Sequence, residues 1–370
     1  MKASQIELYN FRNYENEKVS FGDEINIICG DNGMGKTNIL EAVYYFSYGR
    51  SFRSSGREII KEGQKESRIK LDFESNERNY ESEIKFLSGK RKEIYLNEVE
   101  LKKTSQLLGN FICVLFTPDE MNIIKGMPEL RRKFCDSGIM PLRPNFIKEL
   151  IKYRNILNQK TALLKQRSYS TLDIWNEKLA ESGSKIMMMR KSYIERVLEK
   201  AKIYQNDISG GKEDLFIEYN PSVKMGENAD EIKENFFNKL EEYKEKEKEN
   251  LFCMVGVHRD EIDFNINGKN AKNYASQGQI RTAILSLKSA QMEIIKEESG
   301  SYPVMLLDDI LSELDKKRRD FLISQIKGKQ IIITCTDIEN SFKSGSSNII
   351  EIKEGKVQKK RAASPISRPD

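Results

Sequence analysis

The 370-residue sequence holds a single histidine, a single tryptophan and five cysteines, none of them in a CxxC pair. A lone His258 excludes a histidine-rich metal centre, and the missing CxxC spacing argues against a zinc or disulfide framework. Cys29, Cys113 and Cys335 sit inside apolar runs, so the cysteines read as small buried hydrophobes of a reducing compartment. No run of about eighteen apolar residues is present, and the N-terminal MKASQIELYN alternates polar with apolar residues. Neither a membrane span nor a secretion signal is expected. No zinc finger or helix-turn-helix pattern occurs. The net charge of +5 permits nucleic-acid binding without requiring it.

What is present is an α/β pattern interrupted by helices. Strand-like alternation begins at Ile6, Leu8 and Phe11, and EINIIC (24–29) is a short apolar run ending at Gly30. A helix is predicted from Lys36 to about Tyr48, with Ile39, Leu40, Val43 and Phe46 on one face. Residues 68–101 read as an antiparallel meander, FICVLF (111–116) as a buried strand, and PDEMNIIKG as a helix opened by Thr117-Pro118. From about 129 to 249 the pattern is helical: Leu172, Trp175, Leu179, Ile186, Met189, Tyr193 and Val197 form an apolar stripe, with Trp175 expected in the core. Strand-like sequence returns at 251–257, at EIDFNING with an Asn267-Gly268 turn, and at 270–275. A helix follows from about Gln277 to Glu298, then the buried strands VMLLDD and IIITC flank the helix KKRRDFLISQI. A hairpin around Glu354-Gly355 leads into a basic tail expected to be disordered. The expected division is 1–116, 117–250, 251–358 and the tail 359–370.

Gly30-Asp31-Asn32-Gly33-Met34-Gly35-Lys36-Thr37 fits the phosphate-loop pattern G-x-x-x-x-G-K-[ST], with a strand before it and a helix after it. Glycines let the backbone wrap phosphates with N–H groups pointing inward, while the helix presents its positive end. Lys36 should neutralise the β- and γ-phosphates of ATP, and the Thr37 hydroxyl should ligate Mg²⁺. The second metal carboxylate is Asp308, at the carboxyl end of the apolar strand VMLL, where ligands bind in α/β sheets. Asp309 faces the other way and is the candidate for polarising the attacking water.

Two further patterns separate this site from kinases and GTPases. Ser276-Gln277-Gly278-Gln279 opens a long helix and resembles the ABC signature S-G-G-Q; Ser312-Glu313-Leu314-Asp315 follows the acid pair and resembles the D-loop. In the ABC class, the signature of one subunit reaches the γ-phosphate held by the other. The resemblance then narrows. NFRNY (10–14), GRSFRSS (49–55), FTPDEMNIIKGMPELRRKFCD (116–136), GVHRDEIDF (256–264), YASQGQIRT (274–282) and LLDDILSELD (306–315) together resemble the RecF family, across almost the whole chain up to about residue 358.

That resemblance implies an ABC-type P-loop ATPase head split by a mainly helical second lobe, similar to SMC heads but without their long coiled-coil arm. It implies a cytoplasmic, nucleoid-associated protein that dimerises on ATP, binds duplex DNA and gap junctions, and acts with RecR and RecO to direct RecA onto single-stranded gaps. It also places Arg12 and Asn13 near the nucleotide phosphates, and Ser276, Gly278, Gln279 and Asp315 at the nucleotide of the partner copy. The chain departs from transport ABC proteins in three ways: Asp309 stands for their glutamate, Thr336 for the switch histidine, and Thr117-Pro118-Asp119-Glu120 for the Q-loop glutamine. A weak, DNA-stimulated ATPase that acts as a timer is the expectation.

DNA contacts are sought at Arg50, Arg53 and Arg57, in a Gly/Ser-rich segment after the P-loop helix, and at the cluster Arg131, Arg132 and Lys133. Binding through these would be to phosphates and strongly salt-dependent. Arg131 and Arg132 could instead pair with helix acids, and His258 is read as a hydrogen-bonded structural residue. Two rival readings remain. An SMC-type chromosome-organising or nuclease-partner ATPase is disfavoured because about 120 inserted residues, at 1.5 Å each, make no long arm. A small-molecule P-loop kinase leaves the signature and D-loop unexplained.

Overall fold

The computed structural model describes residues 1–53, 58–324, 328–336 and 347–362. In chain order the elements are β1 (Lys2–Tyr9), β2 (Asn16–Ser20), β3 (Ile25–Cys29), α1 (Lys36–Tyr48), β4 (Glu66–Ser75), β5 (Arg78–Leu87), β6 (Glu93–Leu96), β7 (Val99–Glu100) and β8 (Cys113–Phe116). Then come α2 (Asn122–Lys125), α3 (Pro128–Ile139), α4 (Pro144–Lys165), α5 (Leu172–Ser209), β9 (Leu215–Asn220), α6 (Ala229–Asn250), β10 (Glu261–Ile266), β11 (Lys269–Asn270), α7 (Ala271–Tyr274) and α8 (Gln277–Ser299). The chain ends with β12 (Val304–Asp308), α9 (Lys316–Ser324), β13 (Ile331–Cys335), β14 (Asn348–Lys353) and β15 (Lys356–Ala362). Two compact units result, Met1–Glu120 with Gln291–Asp370, and Met121–Ala290.

The first unit holds two sheets. One is antiparallel in the order β2-β1-β4-β5-β6-β7; the other, β15-β14-β3-β13-β12-β8, is parallel except for β15 at its edge. The parallel strands are continuous apolar runs because both faces are covered: Ile27 and Ile28, Val304 to Leu307, and Ile331 to Ile333 are all buried. β4 and β5 alternate instead. They bury Ile69, Leu71, Phe73 and Ile84, and pair charges across their outer face, as with Lys70 and Glu81 at 2.8 Å. The two-residue turn between them has Asn76 and Glu77 both at positive φ, the geometry that matches strand twist. A polar seam joins the two sheets. The buried Gln330 carboxamide donates to the carbonyls of Ala3 (2.7 Å) and Gly22 (2.8 Å) and accepts from the Ala3 N–H (2.7 Å).

The second unit is built on α5. Gly183 lets α6 approach so closely that a Cβ there would lie 2.3 Å from the Phe236 ring, and Gly138 does the same for Tyr193 of α5 against α3. At the centre of this unit, the buried Arg190 holds Asp136 through Nε (2.9 Å) and Nη2 (3.0 Å), and Nη1 meets the Val257 carbonyl (2.7 Å) and Asp260 (3.1 Å). Tyr219 donates its hydroxyl to Asp260, which also accepts the Ser222 N–H. His258 is fixed nearby between the Tyr153 hydroxyl (2.8 Å) and the Cys253 carbonyl (3.1 Å), and burial pushes its imidazole down to about 4. It is a neutral structural residue.

The organisation differs from the sequence reading in several places. The second boundary falls inside α8 rather than at residue 250, because β10 pairs with β9 and draws the signature segment into the helix-rich unit. β9 was not anticipated there. Residues 251–257 form turns and bends, and 270–275 form β11 and then α7, capped by the Asn270 side chain. β15 runs to Ala362, four residues into the expected tail; residues 363–370 lie outside the described residues. Trp175 is half-buried beside Lys178, not in the core.

Arg190→Met removes the cation from a buried ionic network and leaves Asp136 and Asp260 without their shared counter-charge. The expected loss is about 3–5 kcal/mol of stability, read from urea unfolding. A loss below about 1 kcal/mol would mean that the network is not what ties α3, α5 and the β9–β10 pair together.

Candidate nucleotide site

Residues 30–37 run from the end of β3 into α1, and their shape depends on two glycines. Gly30 has φ 151°, and a Cβ there would lie 2.3 Å from the Ile352 carbonyl of β14; at Gly35 (φ 109°) it would lie 2.6 Å from Asn13 Nδ2. The loop is gripped from both sides. From the turn after β1, Asn13 Nδ2 donates to the Met34 carbonyl (3.0 Å) and the Tyr14 hydroxyl to the Gly35 carbonyl (3.0 Å). From the β14–β15 turn, the Glu354 N–H meets Met34 Sδ at 3.2 Å. The tip, Asp31 to Gly33, stays exposed. Lys36 is 4% exposed, and its Nζ donates to the carbonyls of Gly30 (2.6 Å) and Asp31 (3.1 Å), so its charge is held at the loop's mouth.

The acid pair lies at the end of β12, with β13 between it and β3. Asp308 Oδ1 accepts two hydroxyls, Thr37 Oγ1 at 2.8 Å and Thr334 Oγ1 at 2.8 Å. Thr334 also accepts the Asp309 N–H at 3.0 Å, so a residue of the intervening strand orients both acids. Asp309 adopts a left-handed backbone, φ 49°, which turns the chain at the strand end. Burial raises the Asp308 carboxyl above its usual range; the Thr334 and Thr37 hydroxyls pull it back, Asp309 adds repulsion and Arg53 adds attraction. Thr334 is the site residue that sequence reasoning missed. It lies inside the apolar run IIITC, where only its register against Asp308 sets it apart.

These residues fit a magnesium-bound nucleoside triphosphate. Gly30 and Gly35 leave no room for a Cβ, Lys36 supplies charge, and Thr37 with Asp308 brings two hard oxygens together, as magnesium sites completed by phosphates require. Among the described residues, no group of three or more metal-ligating His, Cys, Asp or Glu side chains occurs.

Other candidates are placed differently. Arg12 is drawn to Glu41 by Nε (2.9 Å) and Nη2 (2.6 Å), and to the Glu58 carbonyl by Nη1 (2.9 Å). Its guanidinium is engaged by protein acceptors, whereas Asn13 touches the phosphate loop itself. Arg131 is a correction: it is 4% exposed, bidentate to Glu261 (2.7 and 2.8 Å), and also bonded to the Gly126 carbonyl (2.9 Å). Arg132 is half-buried and donates to the Asp260 carbonyl at 2.7 Å. Both serve the interior of the second unit and form no exposed basic cluster. Arg50 and Arg53 are exposed; Arg57 lies outside the described residues.

In the second unit, the Ser276 hydroxyl accepts the Gln279 N–H (3.2 Å) while Gln279 Oε1 accepts the Ser276 N–H (2.9 Å), a reciprocal capping box that starts α8 at Gly278's turn. Asp315, in the first unit, accepts the Arg318 N–H (3.0 Å) at the start of α9 and pairs with the Arg318 guanidinium.

A family model described as the RecF/RecN/SMC N terminal domain matches residues 2–360. The chain is 41% identical over 347 residues to the DNA replication and repair protein RecF of Acetivibrio thermocellus, covering 92% of this chain and 94% of that protein. It is 38% identical over 364 residues to the protein of that name from Clostridium acetobutylicum, covering 96% and 99%. Among solved structures, the recombination mediator protein RecF bound to ATP, in the RecFOR pathway, superposes with TM-score 0.91 at 34% identity over 97% of each chain. An Smc head domain from Pyrococcus furiosus shares the fold at 16% identity and TM-score 0.56, over 97% of this chain and 96% of that one.

Asp308 generates a stability prediction. Because the folded form keeps its proton to higher pH than the unfolded chain, native stability falls as pH rises from about 3.9 through the raised value, and the penalty is full above both. Asp308→Asn is therefore expected to raise the melting temperature of the nucleotide- and metal-free protein at pH 8 by about 2 °C or more, with a smaller gain toward pH 5. An unchanged midpoint at pH 8 would mean that the two threonine hydroxyls fully offset burial.

Proposed function

The chain belongs to the RecF family of DNA replication and repair proteins, and on that premise we propose that it is an ATP-gated DNA clamp of recombinational gap repair. The observation that carries the reading is the Thr37–Asp308 contact beside the glycine cradle: a phosphate loop and a strand-end acid meeting across β13. Lys36 would neutralise the β- and γ-phosphates, and Thr37 with Asp308 would hold Mg²⁺. The bound nucleotide supplies a phosphoanhydride whose loss resets the protein. Asp309, held by the Thr334 hydroxyl through its N–H, would orient the attacking water. Its short side chain suits a slow timer better than a metabolic catalyst.

Two copies would act together. Ser276 and Gly278 of one copy, at the N-terminus of α8, offer a hydroxyl and the positive end of a long helix to the phosphates held by the other. Asp315, fixed at the start of α9, would lie at the same junction. Closure would join the surfaces carrying Arg50 and Arg53 into one site for duplex DNA and gap junctions, read through phosphates and weakened by salt. RecR and RecO are the partners this reading implies, and RecA the protein directed onto the gap. No described helix is long and apolar enough to cross a membrane.

Light scattering with MgATP, and with duplex, gapped or single-stranded DNA, tests the pairing. The wild-type protein should double in mass with nucleotide. Ser276→Arg should bind nucleotide yet stay single, and Ser276→Asp, which preserves the helix cap but repels phosphate, should do the same. A mutant pair of unchanged affinity, or a wild-type protein that stays single under every condition, would overturn the closure.

A further inference from the structure

Two parallel rungs cross the first turns of α1. In the first, Arg53 Nη1 donates to Asn38 Oδ1 (2.8 Å) and Asn38 Nδ2 donates to Asn13 Oδ1 (2.8 Å). In the second, the buried Glu41 carboxylate receives the Arg12 guanidinium and the Ser51 hydroxyl. Asn38 and Glu41 are three residues apart, so they share one face of the helix. Each rung therefore ties the turn after β1 to the segment after α1. The far end of that segment is tied as well, since the Ile59 carbonyl accepts the Arg12 N–H at 2.8 Å.

The first rung continues into the phosphate loop, because Asn13 Nδ2 donates to the Met34 carbonyl at 3.0 Å. From Arg53 to Met34 the donors all run in one sense: guanidinium to amide oxygen, amide to amide oxygen, amide to loop carbonyl. Bonds aligned in this way polarise one another. Arg53 is an exposed, long side chain that would otherwise sample many rotamers, while Asn38 is half-buried on a helix. The direction of restraint follows: the rigid amide sets the flexible cation.

We propose that Asn38 is a positioning residue for ATP hydrolysis, which sets the Arg53 guanidinium relative to the phosphate loop through Asn13. The proposal rests on the nucleotide-site reading above and adds a residue that neither the phosphate-loop pattern nor the acid pair includes. Glu41 and Arg12 are the fixed rung beside it. Asn38, with partners at both ends, links the arginine to the loop.

The test is a mutant cycle of Asn38→Ala, Arg53→Gln and the double variant, with three readouts. In the nucleotide-free protein, the double variant's melting shift should be smaller than the sum of the single shifts. Affinity for a fluorescent ATP analogue should stay within about threefold of wild type, because neither residue closes the cradle. ATP turnover should fall about tenfold or more in kcat, with KM little changed, and no further in the double variant. Asn38→Asp, which keeps the acceptor for Arg53 but sets a carboxylate oxygen against Asn13 Oδ1, should fall between wild type and Asn38→Ala.

Additive melting shifts, or a double variant whose kcat loss is the product of the single losses, would overturn the proposal. So would loss of nucleotide binding in Asn38→Ala, which would make Asn38 part of the loop's scaffold. A wild-type protein that binds no nucleotide would sink the proposed function instead, and the melting cycle would still judge the rung.

Discussion

A carboxylate at the end of an apolar strand cannot be left without partners, and much of the first unit follows from how Asp308 is satisfied. Its strand, β12, is covered on both faces, so water can reach the acid only from the strand end. Two hydroxyls converge there, one from α1 and one from β13. Each donates a single hydrogen bond, which is enough to hold the carboxylate but too little to offset its burial, and so its proton affinity stays raised. A site of this kind is incomplete by design: it favours a cation, and the oxygens that would hold one are already in place. The same feature that costs stability would favour a bound cation there.

What could be read from the sequence follows chain locality. The phosphate loop is legible because cradle, lysine and hydroxyl occupy eight consecutive residues, so spacing alone carries the chemistry. The turns at Asn267-Gly268 and Glu354-Gly355 are legible for the same reason, as both residues of each take positive φ. Thr334 is not legible. Its role depends on β13 inserting between β3 and β12 in a given register, and nothing in IIITC announces that pairing. β9 escaped because LFIEYN is six residues between two long helical patterns, and its partner β10 lies beyond the whole of α6.

The arginines show how charge misleads when read without burial. Arg131, Arg132 and Lys133 look like a basic cluster, yet the first two point into the second unit and only Lys133 is exposed. Arg131 meets Glu261, a strand residue 130 positions later, so no helical spacing could have suggested the pair. Arg12 is a comparable case in the first unit, where Glu41 is wholly buried and leaves its guanidinium an acceptor it can hardly leave. Composition counts such residues toward a basic surface, although their charges are neutralised inside the fold.

Helix α1 connects the phosphate loop with the segments on either side of it. Its N-terminus begins the phosphate site, its third residue contacts the turn after β1, and its sixth clamps both that turn and the following segment. One face of two helical turns is thus committed to polar partners, while the opposite face buries Ile39, Leu40 and Val43 in the core. The apolar face fixes where the helix sits, and the polar face transfers that fixed position to two segments with little packing of their own. With three glycines in eight residues and its tip exposed, the phosphate loop gains little shape from side-chain packing. Its carbonyls are held by neighbours instead: Asn13 and Tyr14 from the turn after β1, and Lys36 from the first turn of the helix that the loop begins.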